Sequence, residues 1–140
     1  MKKLTINHLA VWVCIVLAHI LGFLWYGVLF QEQWMELAGL TMEEIEANPA
    51  GASHWISNFI ATVAPIYLLA WLYSKLEVRS GIKGAVIALL ITFTFAHLTM
   101  MTTGLFEGEP YGLAWINGGQ SMLAMAVSGF ILGAWKKYVS

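Results

Sequence analysis

Residues 22–39 read GFLWYGVLFQEQWMELAG: the stretch begins in apolar sequence, passes through Trp25, Tyr26, Phe30 and Trp34, and ends among glutamates. That order marks a boundary between hydrocarbon and water. Trp and Tyr favour the headgroup layer of a bilayer, because their rings are apolar while their N–H and O–H groups seek hydrogen-bond partners. Beyond the boundary, Trp34, Leu37 and Ala38 recur at helical spacing with Glu32 and Glu36 opposite, which predicts a short amphipathic helix on the surface. Thr41 and Glu44 then form a capping-box pattern for a second short helix ending near Asn48-Pro49.

Composition agrees with a membrane setting. Of 140 residues, 59% are hydrophobic and 11% charged, with a mean hydropathy of +0.72, against about 45–50% apolar and about 25% charged in soluble domains. Four apolar runs, residues 8–30, 55–74, 82–104 and 114–135, are long enough to cross a bilayer, which takes about 20 residues at 1.5 Å each. Their interiors carry no carboxylate, lysine or arginine, and a crossing segment must satisfy its own backbone hydrogen bonds, so all four are predicted as helices. Pro65 is expected to kink the second. The fold class is therefore all-α: one polytopic four-helix transmembrane domain over residues 1–140, with an extracytoplasmic acidic loop at 31–54.

The charges set the orientation. Lys2 and Lys3 precede the first run, Lys75, Arg79 and Lys83 lie between the second and third, and Lys136 and Lys137 follow the fourth. All seven basic residues thus fall on one side, while Glu32, Glu36, Glu43, Glu44, Glu46, Glu107 and Glu109 occupy the opposite loops, leaving Glu77 on the basic side. By the positive-inside rule both termini are cytoplasmic. The start MKKLTINHLAVWVCIVLAHILGF shares its basic residues and apolar run with a signal peptide. Its run, however, exceeds a signal's roughly 7–15 residues, and Ala50-Gly51-Ala52, the small-residue site, lies far beyond the run's end, so the first helix is expected to be kept. A net charge of -1 gives no field for nucleic acid. The single cysteine, Cys14, excludes an intrachain disulfide framework.

The pattern Gly22-x-x-Trp25-Tyr26-Gly27-x-x-Phe30-x-x-x-Trp34-Met35 followed by Gly39 resembles the small bacterial membrane proteins grouped as domain of unknown function 1761. Phe106-Glu107-Gly108-x-Pro110, Ile116-Asn117-Gly118-Gly119 and Gly129-x-x-x-Gly133-x-Trp135 are similar to the same family's final hairpin, so the resemblance covers nearly the whole chain. It implies a bacterial four-helix protein of the cytoplasmic membrane. The family carries no established activity, so it transfers no catalytic residue.

Internal similarity suggests two tandem hairpins. Ala18-His19 and the later Leu29-Phe30-Gln31-Glu32 match Ala96-His97 and Leu105-Phe106-Glu107, and Trp55-Ile56-Ser57-Asn58 matches Trp115-Ile116-Asn117. Such a repeat would relate the hairpins by a pseudo-two-fold along the membrane normal. His19 lies 11 residues before Phe30 and His97 lies 9 before Phe106, which puts both about 14–17 Å below the outer boundary. On the first helix His8, Trp12, Ile15, His19, Gly22 and Tyr26 share one stripe, expected to face the bundle.

Two histidines at one depth allow axial haem ligation, a shared metal ion or a proton relay. The alternative, preferred here, is that each imidazole hydrogen-bonds across the bundle and that no cofactor is held. Tyr26, Asn58, Asn117, Gln120 and Ser121 form a second polar set in the outer halves, either lining a small cavity open to the outside or fixing helix packing. Gly129 and Gly133 form a GxxxG pattern suited to a helix interface. The outer glutamates with His54 match no defined metal site and read as a solvated cap.

No Gly-rich phosphate loop, nucleophile elbow or CxxC pair is present, and the lone cysteine and the lack of Asp remove most triad chemistries, so no catalytic residue is assigned. Two functions remain: a non-enzymatic accessory subunit, self-associating or bound to another membrane protein, and a haem-, metal- or proton-handling element built on His19 and His97. A carboxylate proton path is disfavoured, because no span contains a carboxylate.

Overall fold

Asn7 turns the chain from extended backbone into its first helix, its side chain accepting the Ala10 N–H. In the computed structural model, which describes residues 2–139, a short strand β1 (Lys3–Thr5) precedes that helix, α1 (His8–Leu24). A π-helical turn, Trp25–Leu29, extends α1 and is closed by the Phe30 N–H donating to the Trp25 carbonyl at 2.8 Å. The predicted surface helices follow as α2 (Gln31–Ala38), ended by left-handed Gly39, and α3 (Met42–Ala47), started by Thr41 and Glu44 with both halves of the capping box made.

Helix α4 (Ala52–Lys75) runs through Pro65 without a break. Next, α5 (Gly81–Ile91), a second π-helical turn (Thr92–His97) and α6 (Leu98–Phe106) make one continuous helix. A last long helix, α7 (Tyr111–Ala134), leads into β2 (Lys137–Val139), which pairs antiparallel with β1 so that Lys3 lies opposite Val139. The chain is all-α apart from this pair. Three helices, His8–Leu29, Ala52–Lys75 and Gly81–Phe106, are long and apolar enough to cross a membrane. Helix α7 matches α4 in length but is not one of these three, and it carries Asn117, Gln120 and Ser121 along with several glycines.

The position of α7 accounts for that composition. It packs on α1, α4, α5 and α6 and buries Leu113, Gly118, Ala124, Ser128, Gly129 and Leu132. A helix enclosed by other helices need not be apolar on every face. Lipid tails are as apolar as Leu, so helices in a bilayer associate through close packing rather than through exclusion from water. The closest approach is α5 against α7: a Cβ on Gly84 or Gly129 would strike the other residue's carbonyl, and one on Gly133 would strike the Ser80 carbonyl. The GxxxG pair is thus spent within the chain.

On α1 the buried face is Ala10, Val11, Cys14, Ile15 and Ala18; of the expected stripe Ile15 belongs to it, while His8 and Trp12 are exposed, Trp12 by 44%, and His19 is half-buried. Small residues decide this rotation, since they let neighbouring helices approach more closely than imidazole or indole would. Leu9, Trp12, Val16, Ile20 and Phe23 form the outward stripe. The core joins these buried α1 residues to Ile66, Leu69, Tyr73, Ala88 and Leu132.

At one end of the bundle the two terminal strands meet the α4–α5 turn. Arg79 donates to the Lys2 carbonyl and to Glu77 and lies 5.4 Å from the Tyr138 ring centroid, while Lys136 Nζ donates to the Arg79 carbonyl at 2.7 Å. The two hairpins are packed differently. Helix α1 packs along α7, whereas α4 does not pack along the Gly81–Phe106 helix, and a cavity lies between them.

Candidate functional site

The C-terminal extension of α1 is held to α7 by two side chains from the aromatic stretch. Trp25 Nε1 donates to the Ile116 carbonyl at 2.9 Å, and the Tyr26 hydroxyl donates to Asn117 Oδ1 at 2.8 Å. Their N–H and O–H groups thus find their partners within the protein. Trp34 on α2 packs edge-on against Tyr26, and Leu37 lies over Gly112.

Below this clasp lies a cavity of about 830 Å³, within the roughly 300–1,000 Å³ of small-molecule sites. Helix α1 contributes Ala18, His19, Gly22 and Tyr26, and α4 contributes Asn58, Ala61, Thr62 and Pro65. Ile91, Thr92, Phe95 and Ala96 come from the third long helix, and Gln120, Ser121, Ala124 and Met125 from α7. The walls are chiefly apolar with a few polar groups and contain no Asp, Glu, Lys or Arg. Asn58, Ala61 and Pro65 on one side and Phe95 and Ala96 on the other are exposed, so the cavity is an open cleft.

Four of the predicted polar residues, Tyr26, Asn58, Gln120 and Ser121, line this cleft together with His19. Asn117 stands behind the wall as the partner of Tyr26. Ser121 donates to the Asn117 carbonyl at 3.4 Å, Thr62 to the Asn58 carbonyl at 2.8 Å and Thr92 to the Ala88 carbonyl at 2.8 Å, so these hydroxyls are satisfied by their own helices. Pro65 has no N–H, which leaves the Ala61 carbonyl without its helical donor in the cleft wall. The sequence marked Pro65 as a kink; its position relative to Ala61 was the available signal for a freed acceptor.

His19 and His97 are not brought together. His19 is half-buried in the cleft wall, its Nδ1 2.8 Å from the Ile15 carbonyl and its ring 6.1 Å from that of Phe59. His97 is 1% exposed and lies outside the cleft, stacked on Phe93 at 5.6 Å and packed on Trp115 at 4.4 Å and on Gly118. Neither ring nitrogen of His97 has a hydrogen-bond partner. A haem or metal ion held by both imidazoles would require α7 to move off His97. Among the described residues, no three His, Cys, Asp or Glu side chains gather as a metal site.

Gly129 and Gly133 lie at the other end of α7, against α5. There a crevice of about 20 Å³ between the terminal strands and α4 has room for about one water.

The chain belongs to the family described as Protein of unknown function (DUF1761), whose family model matches residues 9–133. No curated protein and no solved structure matches it.

Proposed function

We propose that this is a four-span protein of the bacterial cytoplasmic membrane, with both termini cytoplasmic, that works by holding an apolar ligand in the interhelical cleft. It acts as a non-enzymatic binding or accessory protein. The observation that carries this reading is the cleft itself: about 830 Å³, walled by all four long helices, chiefly apolar and free of charged side chains. Its walls offer no nucleophile paired with a base and no carboxylate, which supports binding over catalysis.

Pairing of β1 with β2 supports an even number of crossings, because it needs both chain ends on one side. Lys2, Lys3, Arg79, Lys136 and Lys137 at that end support the cytoplasmic assignment. Helix α7 crosses as the enclosed member of the bundle, its polar residues facing protein and cleft.

Native mass spectrometry of the protein released from mild detergent tests the reading. One small apolar molecule per chain is expected on the wild type and not on Ala61→Trp, which fills the cleft from an exposed wall position. A folded wild type that carries no adduct and takes up none from added lipid extract would sink it.

A further inference from the structure

The hydrogen-bonding groups left open in the cleft identify the kind of molecule it takes, an inference that rests on the binding reading above. Because the walls carry no charge, the enclosed part of the ligand is uncharged. Among the polar side chains, those of Tyr26, Thr62, Thr92 and Ser121 already donate within the protein. His19, the Trp55 indole N–H, the Asn58 and Gln120 amides and the Ala61 carbonyl remain.

His19 is the informative one. Its Nδ1 faces a carbonyl, which can only accept, so the contact calls for a proton on Nδ1, the tautomer whose Nε2 is an acceptor. Among the described residues that nitrogen has no hydrogen-bond partner, and unlike the nitrogens of His97 it is not among the sealed ones. The Ala61 carbonyl on the facing helix is a second acceptor, freed by Pro65. Two acceptors on facing helices, His19 Nε2 and the Ala61 carbonyl, are thus open to a donor that the ligand brings. The Gln120 amide lies over Gly22, one turn along α1 from His19, its Nε2 3.6 Å from where a Cβ on Gly22 would stand. It is placed to donate to the same ligand group.

We infer that the cleft takes an uncharged lipophilic alcohol, a long-chain, isoprenoid or phenolic hydroxyl compound. Its O–H donates to His19 Nε2 or the Ala61 carbonyl, its oxygen accepts from Gln120, and its apolar body lies along Ile66, Ile91, Phe95 and Met125. Access is sideways from the bilayer, through the gap that α4 and the third long helix leave open. A ketone or ether of the same shape lacks the donor and leaves His19 Nε2 unpaired.

The test titrates farnesol and farnesyl methyl ether, as mole fraction of lipid, into wild-type protein in phosphatidylcholine nanodiscs, with occupancy read by native mass spectrometry. Farnesol is expected to half-saturate at about tenfold lower mole fraction than the ether, the size of one lost hydrogen bond. His19→Phe, which keeps the ring and removes the acceptor, should abolish the difference, and Ala61→Trp should abolish both bindings. Equal occupancy by alcohol and ether in the wild type, lost in Ala61→Trp, overturns the hydroxyl inference while leaving the binding reading intact. Occupancy by neither, or occupancy unchanged by Ala61→Trp, overturns both. The wild-type comparison decides the matter even where His19→Phe fails to fold.

Discussion

The ring of His97 occupies the space that a side chain on Gly118 would fill, and neither of its nitrogens is hydrogen-bonded. A methyl group at 118 would overlap ring atoms within a packed interface, so His97 or α7 must shift. Gly118→Ala should therefore cost about 1–3 kcal/mol, the range for overpacking, although alanine is the better helix former. The cost should largely vanish in a His97→Ala background. Unfolding in detergent, followed by circular dichroism across the four proteins, measures that coupling.

His97→Leu makes the opposite case. Two buried, unpaired ring nitrogens give the folded state nothing to offset their desolvation, so an apolar residue of similar bulk should leave stability unchanged or raise it by about 1–3 kcal/mol. A loss of stability beyond about 1 kcal/mol would mean that the imidazole has a partner after all. Intramembrane ionisable groups are expensive to keep, so a stabilised variant with impaired ligand occupancy would mark His97 as retained for function.

At the α5–α7 crossing, Gly129→Ala should destabilise by about 1–3 kcal/mol, since its Cβ would meet the Gly84 carbonyl and the Ala88 methyl. Gly27→Ala is the control. Its nearest neighbour is Phe23 at 3.9 Å, an ordinary contact, so the change should be neutral or mildly stabilising. Equal melting temperatures for the two variants would contradict the close crossing.

Much of this architecture was legible because bilayer physics leaves few choices. Uncharged runs of crossing length had to be helical, and the Thr41–Glu44 pair announced its own cap, which forms with both hydrogen bonds. What the sequence hid was rotation about the helix axes. Polarity suggested that His8 and Trp12 face inward, whereas Ala10, Cys14 and Ala18 do so, because small residues allow close approach. The same blindness made His19 and His97 look equivalent at equal depth, although one lies in the cleft wall and the other is sealed between α6 and α7. The cleft residues Asn58, Gln120 and Ser121 were visible as polar letters; the gap between α4 and the third long helix, which makes them a site, has no local signal.

The aromatic clasp should be measurable one hydrogen bond at a time. Tyr26→Phe keeps the ring against Trp34 and removes the donor to Asn117. Interhelical hydrogen bonds in membranes average about 0.6 kcal/mol, with a maximum of about 1.7, and the loss should fall in that range. Trp25→Phe, which removes the donor to the Ile116 carbonyl, should cost at least as much because the ring is also smaller. Hydrogen exchange at the first turns of α7 should accelerate in both variants while the α5–α7 crossing stays protected.

Topology yields to cysteine labelling, with Cys14 as an internal blank: it is 0% exposed, its thiol donating to the Ser128 carbonyl at 3.7 Å, so the wild type should not react. In right-side-out vesicles, a membrane-impermeant maleimide should label Glu43→Cys at once and Lys137→Cys only after the membrane is opened. Both residues are exposed, so failure to react reports sidedness rather than burial. Labelling of both from outside would put the C-terminus on the glutamate side and take α7 out of the membrane. That arrangement would also break the strand pair, because Lys3 and Val139 could no longer lie opposite each other. Labelling of Lys137→Cys alone would invert the protein and overturn the assignment drawn from the basic end.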